Sequence, residues 1–148
     1  MARLSDLPLP IPHADDTATR IGFVLHWLLL PGLALLLGIA LVANQRFFVP
    51  DAIDGGPSQS RMIAILLRYN TNTLEQTLLA AIAWFGLALA LPIPQLKLIP
   101  AMAISFAIGR VLLLIGYLIA PVARALGLGL TAYPTFAALV WLAVRMFG

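Results

Sequence analysis

The chain has 148 residues, 61% of them hydrophobic and 10% charged, with nine lysines and arginines against six acids for a net charge of +3. Soluble domains are about half apolar and a quarter charged, so this balance excludes an ordinary water-soluble globule and reads as an integral membrane protein. The basic excess is scattered arginine rather than a block, which excludes a nucleic-acid partner and suits interfacial anchors or ligands of an anionic small molecule; the absence of cysteine excludes disulfides, thiol nucleophiles and thiolate metal sites.

In chain order, residues 1–19 form a polar arm whose Pro8, Pro10 and Pro12 favour an extended path along the membrane surface. No cleavable signal is expected, because the apolar run begins late and continues too long. A first span is predicted over about residues 20–44, with a kink at Pro31. His26 on this span and His13 in the arm have no carboxylate at ligand spacing, so no metal site is expected and His26 reads as a packing residue. Asp51, Asp54, Gly55, Gly56 and Pro57 mark a surface loop from Pro50 to Ser60.

A second helix follows over about residues 61–91, roughly 45 Å long against a hydrocarbon core of about 30 Å, so its first turns stand among the headgroups. Pro92-Ile93-Pro94 makes a turn into a third helix over about residues 95–120, with Pro100 in its opening turns. Pro121, Gly127 and Gly129 mark a boundary, after which Thr131 caps a short fourth helix over about residues 132–147 with Pro134 in its first turn. The expected fold is thus an all-α, left-handed bundle of four transmembrane helices, residues 20–148 forming one domain. Four spans put both termini on one side, with Arg3, Arg20, Lys97 and Arg145. The other side takes the first and third loops, with Arg46, Arg61, Arg68 and Arg124; the tied count leaves orientation open.

The polar block Arg68-Tyr69-Asn70-Thr71-Asn72-Thr73-Leu74-Glu75-Gln76 interrupts the second span. Arg68, Asn72 and Glu75 are spaced i, i+4, i+7 and Arg61 lies a heptad earlier, so all share one stripe. Arg110, Tyr117 and Arg124 repeat every seven residues on the third segment. Such stripes face inward in left-handed packing. Glu75 lies as far from Arg61 as Arg110 lies from Arg124, which predicts a structural ion pair between Glu75 and Arg110 at mid-depth. Above it, Asn72, Arg68, Tyr117, Arg124 and Arg46 would line a cationic cavity open to the loop side. Trp27, Trp84 and Trp141 suit interfacial belts or packing, and Ala103 with Ala107, like Gly86 with Ala90, allows close helix contact.

The block from Arg68 to Gln76 resembles the second-helix signature of the membrane-associated proteins in eicosanoid and glutathione metabolism, the MAPEG family. Arg110, Gly116-Tyr117 and Arg124-Ala125-Leu126-Gly127 resemble that family's third-helix pattern, as in microsomal glutathione transferases and leukotriene C synthases. The resemblance implies a homotrimer in a bilayer, here expected to be a bacterial inner membrane, that binds glutathione as cosubstrate between neighbouring subunits. It implies conjugation of glutathione to a lipophilic small molecule, or peroxidase action. By position, Arg68, Asn72, Glu75 and Tyr117 would hold the tripeptide, Arg46 would take a carboxylate and Arg124 would stabilise the thiolate. Asn70 would add a contact where relatives have histidine or glutamine. Leu113 stands where leukotriene C synthases have a tyrosine, and Ala64 where some members carry an acid. Two rival readings are a lipid-presenting protein of the same fold without turnover and a small four-helix transporter using Glu75; the neighbouring arginines, which hold that carboxylate ionised, argue against the transporter.

Overall fold

A chain this apolar must satisfy its backbone internally once it leaves water, and helices do that within each segment. The computed structural model describes residues 8–50, 53, 60–119 and 121–148. It contains α1 (Thr17–Phe47), α2 (Arg61–Ala90), α3 (Leu98–Leu118) and α4 (Pro121–Phe147), with a 3-10 turn at Ile93–Lys97 before α3. All four helices are long and apolar enough to cross a membrane, and the protein is multi-pass. Among the described residues there is no strand. The loop with Asp51, Asp54, Gly55, Gly56 and Pro57 lies outside them, as does Arg3.

Helix starts follow the capping chemistry. Asp16 accepts from the Thr19 amide at 2.9 Å, so α1 begins at Thr17 and takes the last three residues assigned to the arm. Bonds from the Thr19 hydroxyl and amide hold the Asp16 carboxyl below the usual carboxylate range. Ser60 caps α2 through the Ile63 amide. Pro92 ends α2 two residues on, and because proline has no N–H it leaves the Ala88 carbonyl without its i+4 donor. Arg20 of α1 supplies the replacement: its guanidinium donates to the Ala88 carbonyl and, at 2.7 Å, to that of Leu91, while pairing with Asp15 of the arm. Pro100 sits in the first turn of α3, where its missing donor costs nothing.

The fourth helix departs from expectation. It starts at Pro121 and runs unbroken through Gly127, Gly129 and Thr131, so the boundary read from those residues does not exist. The glycines serve close approach instead. A Cβ on Gly127 would lie 2.5 Å from the Leu113 amide nitrogen and 2.6 Å from the Gly109 carbonyl, and one on Gly116 would lie 2.1 Å from the Arg124 nitrogen. α3 and α4 therefore form an antiparallel hairpin in near backbone contact, held by van der Waals packing, which replaces the hydrophobic effect between helices in lipid. Thr131 is mid-helix, bonded back to the Leu128 carbonyl at 2.9 Å, rather than a cap. Pro134 is also internal and frees the Leu130 carbonyl, which accepts from Ser105 of α3 at 2.8 Å.

Sequential neighbours are antiparallel as well: Arg20 of α1 meets the end of α2, while Gly38 of α1 meets Asn70 of α2. Asn72 of α2 meets Arg110 of α3. The apolar core lies towards the end that carries the termini, where Trp84, Leu87, Leu96, Ile99 and Phe106 are enclosed. The polar residues are left for the other half.

Candidate functional site

At 3.6 residues per turn, Arg61, Arg68, Glu75 and Asn72 fall within a strip about 60° wide on α2. Its edges differ. Asn72 is half-buried towards α3, whereas Arg61, Arg68 and Glu75 are exposed. Beyond them the exposed face turns apolar, with Leu67, Leu74, Leu78, Ile82 and Leu89. The strip is thus the seam between the packed bundle and an uncovered apolar face.

Asn72 is fixed from α3. Arg110, 1% exposed, donates through Nη1 to the Asn72 side-chain oxygen Oδ1 at 2.8 Å and through Nη2 to the Thr131 hydroxyl of α4, with its guanidinium 5.0 Å from the Phe106 ring centre. The expected Glu75–Arg110 ion pair does not form within the chain; among the described residues the salt bridge seen joins Arg20 and Asp15. The expectation measured depth from Arg124 as if it ended the third helix. The chain reverses just after Ile119 instead, and Arg124 lies on α4 beside Gly116. Arg110 therefore sits level with Asn72, and Glu75 lies one turn deeper on the exposed edge. A charge at this depth costs about 2.5–3.5 kcal/mol on insertion scales. Neutral oxygens from two helices and a ring face offset it here.

At the loop-side mouth, Tyr117 ends α3 and Arg124 opens α4, its guanidinium 5.7 Å from the Tyr117 ring centre. The seven-residue relation of these two crosses a chain reversal, yet they meet. Facing them, Arg61, Met62 and Ile65 of α2 join Tyr117 and Leu118 around a cavity of about 360 Å³. Among the described residues no carboxylate pairs with Arg61, Arg68 or Arg124. Uncompensated guanidinia around a half-buried phenol can take an anion, and a fixed cation beside a thiol favours its thiolate.

Asn70 is not with this group. It lies 200° round α2 from Asn72, and its side-chain oxygen is enclosed against Gly38 of α1 without a hydrogen-bond partner. Arg46, two turns further along α1, is half-buried with its Nε likewise unpartnered. Leu113 is 2% exposed within the chain, turned into the α3–α4 contact. Sequence reasoning left two residues without a role here. Preceding glycines make Thr131 read as a cap rather than as a partner of Arg110, and the stripe alone gives Arg61 no contact. A crevice of about 400 Å³ between α1 and α3 adds an apolar feature. Leu30, Leu33, Leu37 and Leu114 are among its walls, and Tyr69 and Arg110 also line it.

Among protein families, the model described as the MAPEG family matches residues 23–145, most of the chain. No curated protein and no solved structure matches it.

Proposed function

The chain belongs to the MAPEG family, and on that premise we propose that it is a glutathione-binding membrane enzyme, a transferase or peroxidase acting on lipophilic electrophiles in a bacterial inner membrane. One observation supports the reading most: a strip of guanidinia that pair with no acid among the described residues, bordering Tyr117 and Asn72 at one membrane face. Glutathione is small, water-borne and anionic, which matches a cationic mouth on the aqueous side. Arg68, Asn72, Glu75 and Tyr117 hold the tripeptide. Arg124 favours the thiolate, which is the nucleophile. In transfer the sulfur forms the bond to carbon, the leaving group departs with its electron pair, and the thiol proton passes to water at the mouth.

The working unit is a homotrimer. The exposed apolar face of α2 beside the strip supports this, as does the position of Asn70 on the opposite side of α2, against α1, the helix that carries Arg46. A neighbour's α1–α2 edge laid against the strip would add Arg46 and Asn70 to the site, with Arg46 available for a carboxylate. A second reading, lipid presentation without turnover, draws on the apolar α1–α3 crevice and on Leu113, which offers no hydroxyl where leukotriene C synthases have a tyrosine.

Titrating glutathione into the purified protein while following thiolate absorbance tests the proposal, with Arg124→Ala in parallel. The expected result is binding at millimolar glutathione with a depressed thiol pKa that the variant loses. Failure to bind at that concentration sinks the proposal, and binding without thiolate formation or turnover of an aryl halide favours the second reading.

A further inference from the structure

The arm ahead of α1 has no part in the glutathione reading, yet it is not loose. It folds back along the opening turns of α1, so that Pro10, Pro12 and His13 share a cavity of about 430 Å³ with Thr19, Phe23, His26 and Trp27. Pro12 is buried. Proline lacks an N–H, and prolines at alternate positions let the arm lie against apolar side chains with few amide donors to satisfy.

This cavity differs in chemistry from the cationic mouth at the other end of the bundle. No lysine, arginine, aspartate or glutamate lines it, and Arg20 beside it is engaged with Asp15 and with the carbonyls of Ala88 and Leu91. The Asp16 carboxyl, which accepts from Thr19 on the cavity wall, disfavours an anion. What the walls offer is aromatic surface and ring N–H groups. Phe23 and His26 each stand edge-on to Trp27, with ring centres 6.5 and 5.5 Å away. The imidazoles of His13 and His26 are exposed, one on the arm and one on α1, and the Trp27 Nε1 behind them has no hydrogen-bond partner. Gly22 leaves the floor open, since a Cβ there would meet no atom within 4 Å. Further along the face that carries Gly22 and His26 come Leu29 and Leu33, 60% and 58% exposed, an apolar track leading from the cavity into the bilayer.

We infer that the cavity between the arm and α1 binds the head of a neutral lipid quinone, whose tail follows Leu29 and Leu33. A para-quinone is flat and lies against aromatic rings, and being uncharged it needs no cation. It presents a carbonyl acceptor on each of two opposite edges, which His13 on one wall and His26 on the other can meet. The ester carbonyls of a phospholipid are acceptors too, but they are tethered to a phosphate, and no lysine or arginine lines the cavity to take it. A cavity of about 430 Å³ is within the usual range of small-ligand sites. The inference is independent of the glutathione reading, whose residues lie at the loop end.

The test titrates a decyl-substituted benzoquinone into the full chain in detergent micelles and follows quenching of tryptophan fluorescence. A saturable component is expected, and decylbenzene, which has the tail without the carbonyls, should not displace it. Gly22→Leu fills the open floor without a clash at Cβ and should abolish that component in a folded protein. His26→Leu should weaken binding about fivefold, as for one hydrogen bond. Trp27→Phe should remove the saturable quenching, because Trp84 and Trp141 lie away from the cavity. Quenching that rises linearly with quinone and is the same in Gly22→Leu is partition into the micelle and overturns the assignment, as does a saturable component that survives Trp27→Phe. Displacement by decylbenzene means a groove for tails alone, and displacement by phosphatidylcholine at equal mole fraction means a phospholipid site; either result overturns the quinone assignment.

Discussion

At the end of the bundle that carries the termini, Arg20 is fully engaged: it completes the Ala88 carbonyl that Pro92 leaves open, bonds the Leu91 carbonyl beside it and pairs with Asp15. At the loop end Arg61, Arg68 and Arg124 have no such acid among the described residues, and Arg124 rests on an aromatic ring. Arg20 thus closes one helix end, whereas Arg61, Arg68 and Arg124 leave charge available at the other. What separates the cases is whether the guanidinium's donors are used up within the chain. Arg110, between the two ends, is intermediate, bonded to neutral oxygens only.

Substitutions can break this contrast or sharpen it. The largest effect is expected from Gly116→Ala, whose Cβ would meet the Arg124 nitrogen at 2.1 Å, a backbone atom that cannot swing aside. The hairpin must open, at about 3 kcal/mol, and because Arg124 moves with α4, glutathione binding should fall too; unfolding in mixed detergent that matches the unaltered protein would contradict the close approach. Next come Arg20→Gln and Arg68→Gln as a pair. The first should lose about 1–2 kcal/mol of stability through the unpaired carbonyls and leave glutathione affinity intact. The second should stay within about 0.5 kcal/mol and lose affinity; the reverse pattern would erase the distinction between the ends. The smallest effect concerns Asp16. Its folded pKa lies below the unfolded value of 3.8, so its cap is present above that pH and is lost as the pH falls through the folded value. An NMR titration should show the Thr19 amide shifting as α1 frays from about pH 4 downward, and a pH-independent Thr19 signal would discount the cap.

Much of this was legible in the sequence, since span length and apolarity are local properties. Four spans follow from them, and the start of α2 follows from Ser60 and Arg61 after a proline- and glycine-rich loop. The start of α4 was not legible, because Gly127, Gly129 and Thr131 make a terminus in water but a contact surface in lipid, and only the partner helix tells the two apart. The same misplaced turn shifted Arg110 towards Glu75, an error of one helical turn that replaced an amide partner with a carboxylate. Asn70 was readable from helical geometry alone, being 200° from Asn72, yet the neighbour that encloses it, Gly38, lies in a leucine-rich span with no local mark of contact. The grouping of Tyr117 with Arg124 was anticipated by spacing along one helix; the structure achieves it across a turn.

The bonding of Arg110 also bears on the order in which the chain enters the membrane. Asn72 is synthesised before Arg110 and Thr131 after it. As α3 leaves the ribosome its guanidinium meets a bilayer in which one acceptor already stands in α2, and the second arrives when α4 folds back over Gly109 and Gly116. The least hospitable residue of the third span is thus met by a waiting amide, and α3 with α4 can settle as a single inserted hairpin rather than as two separate helices.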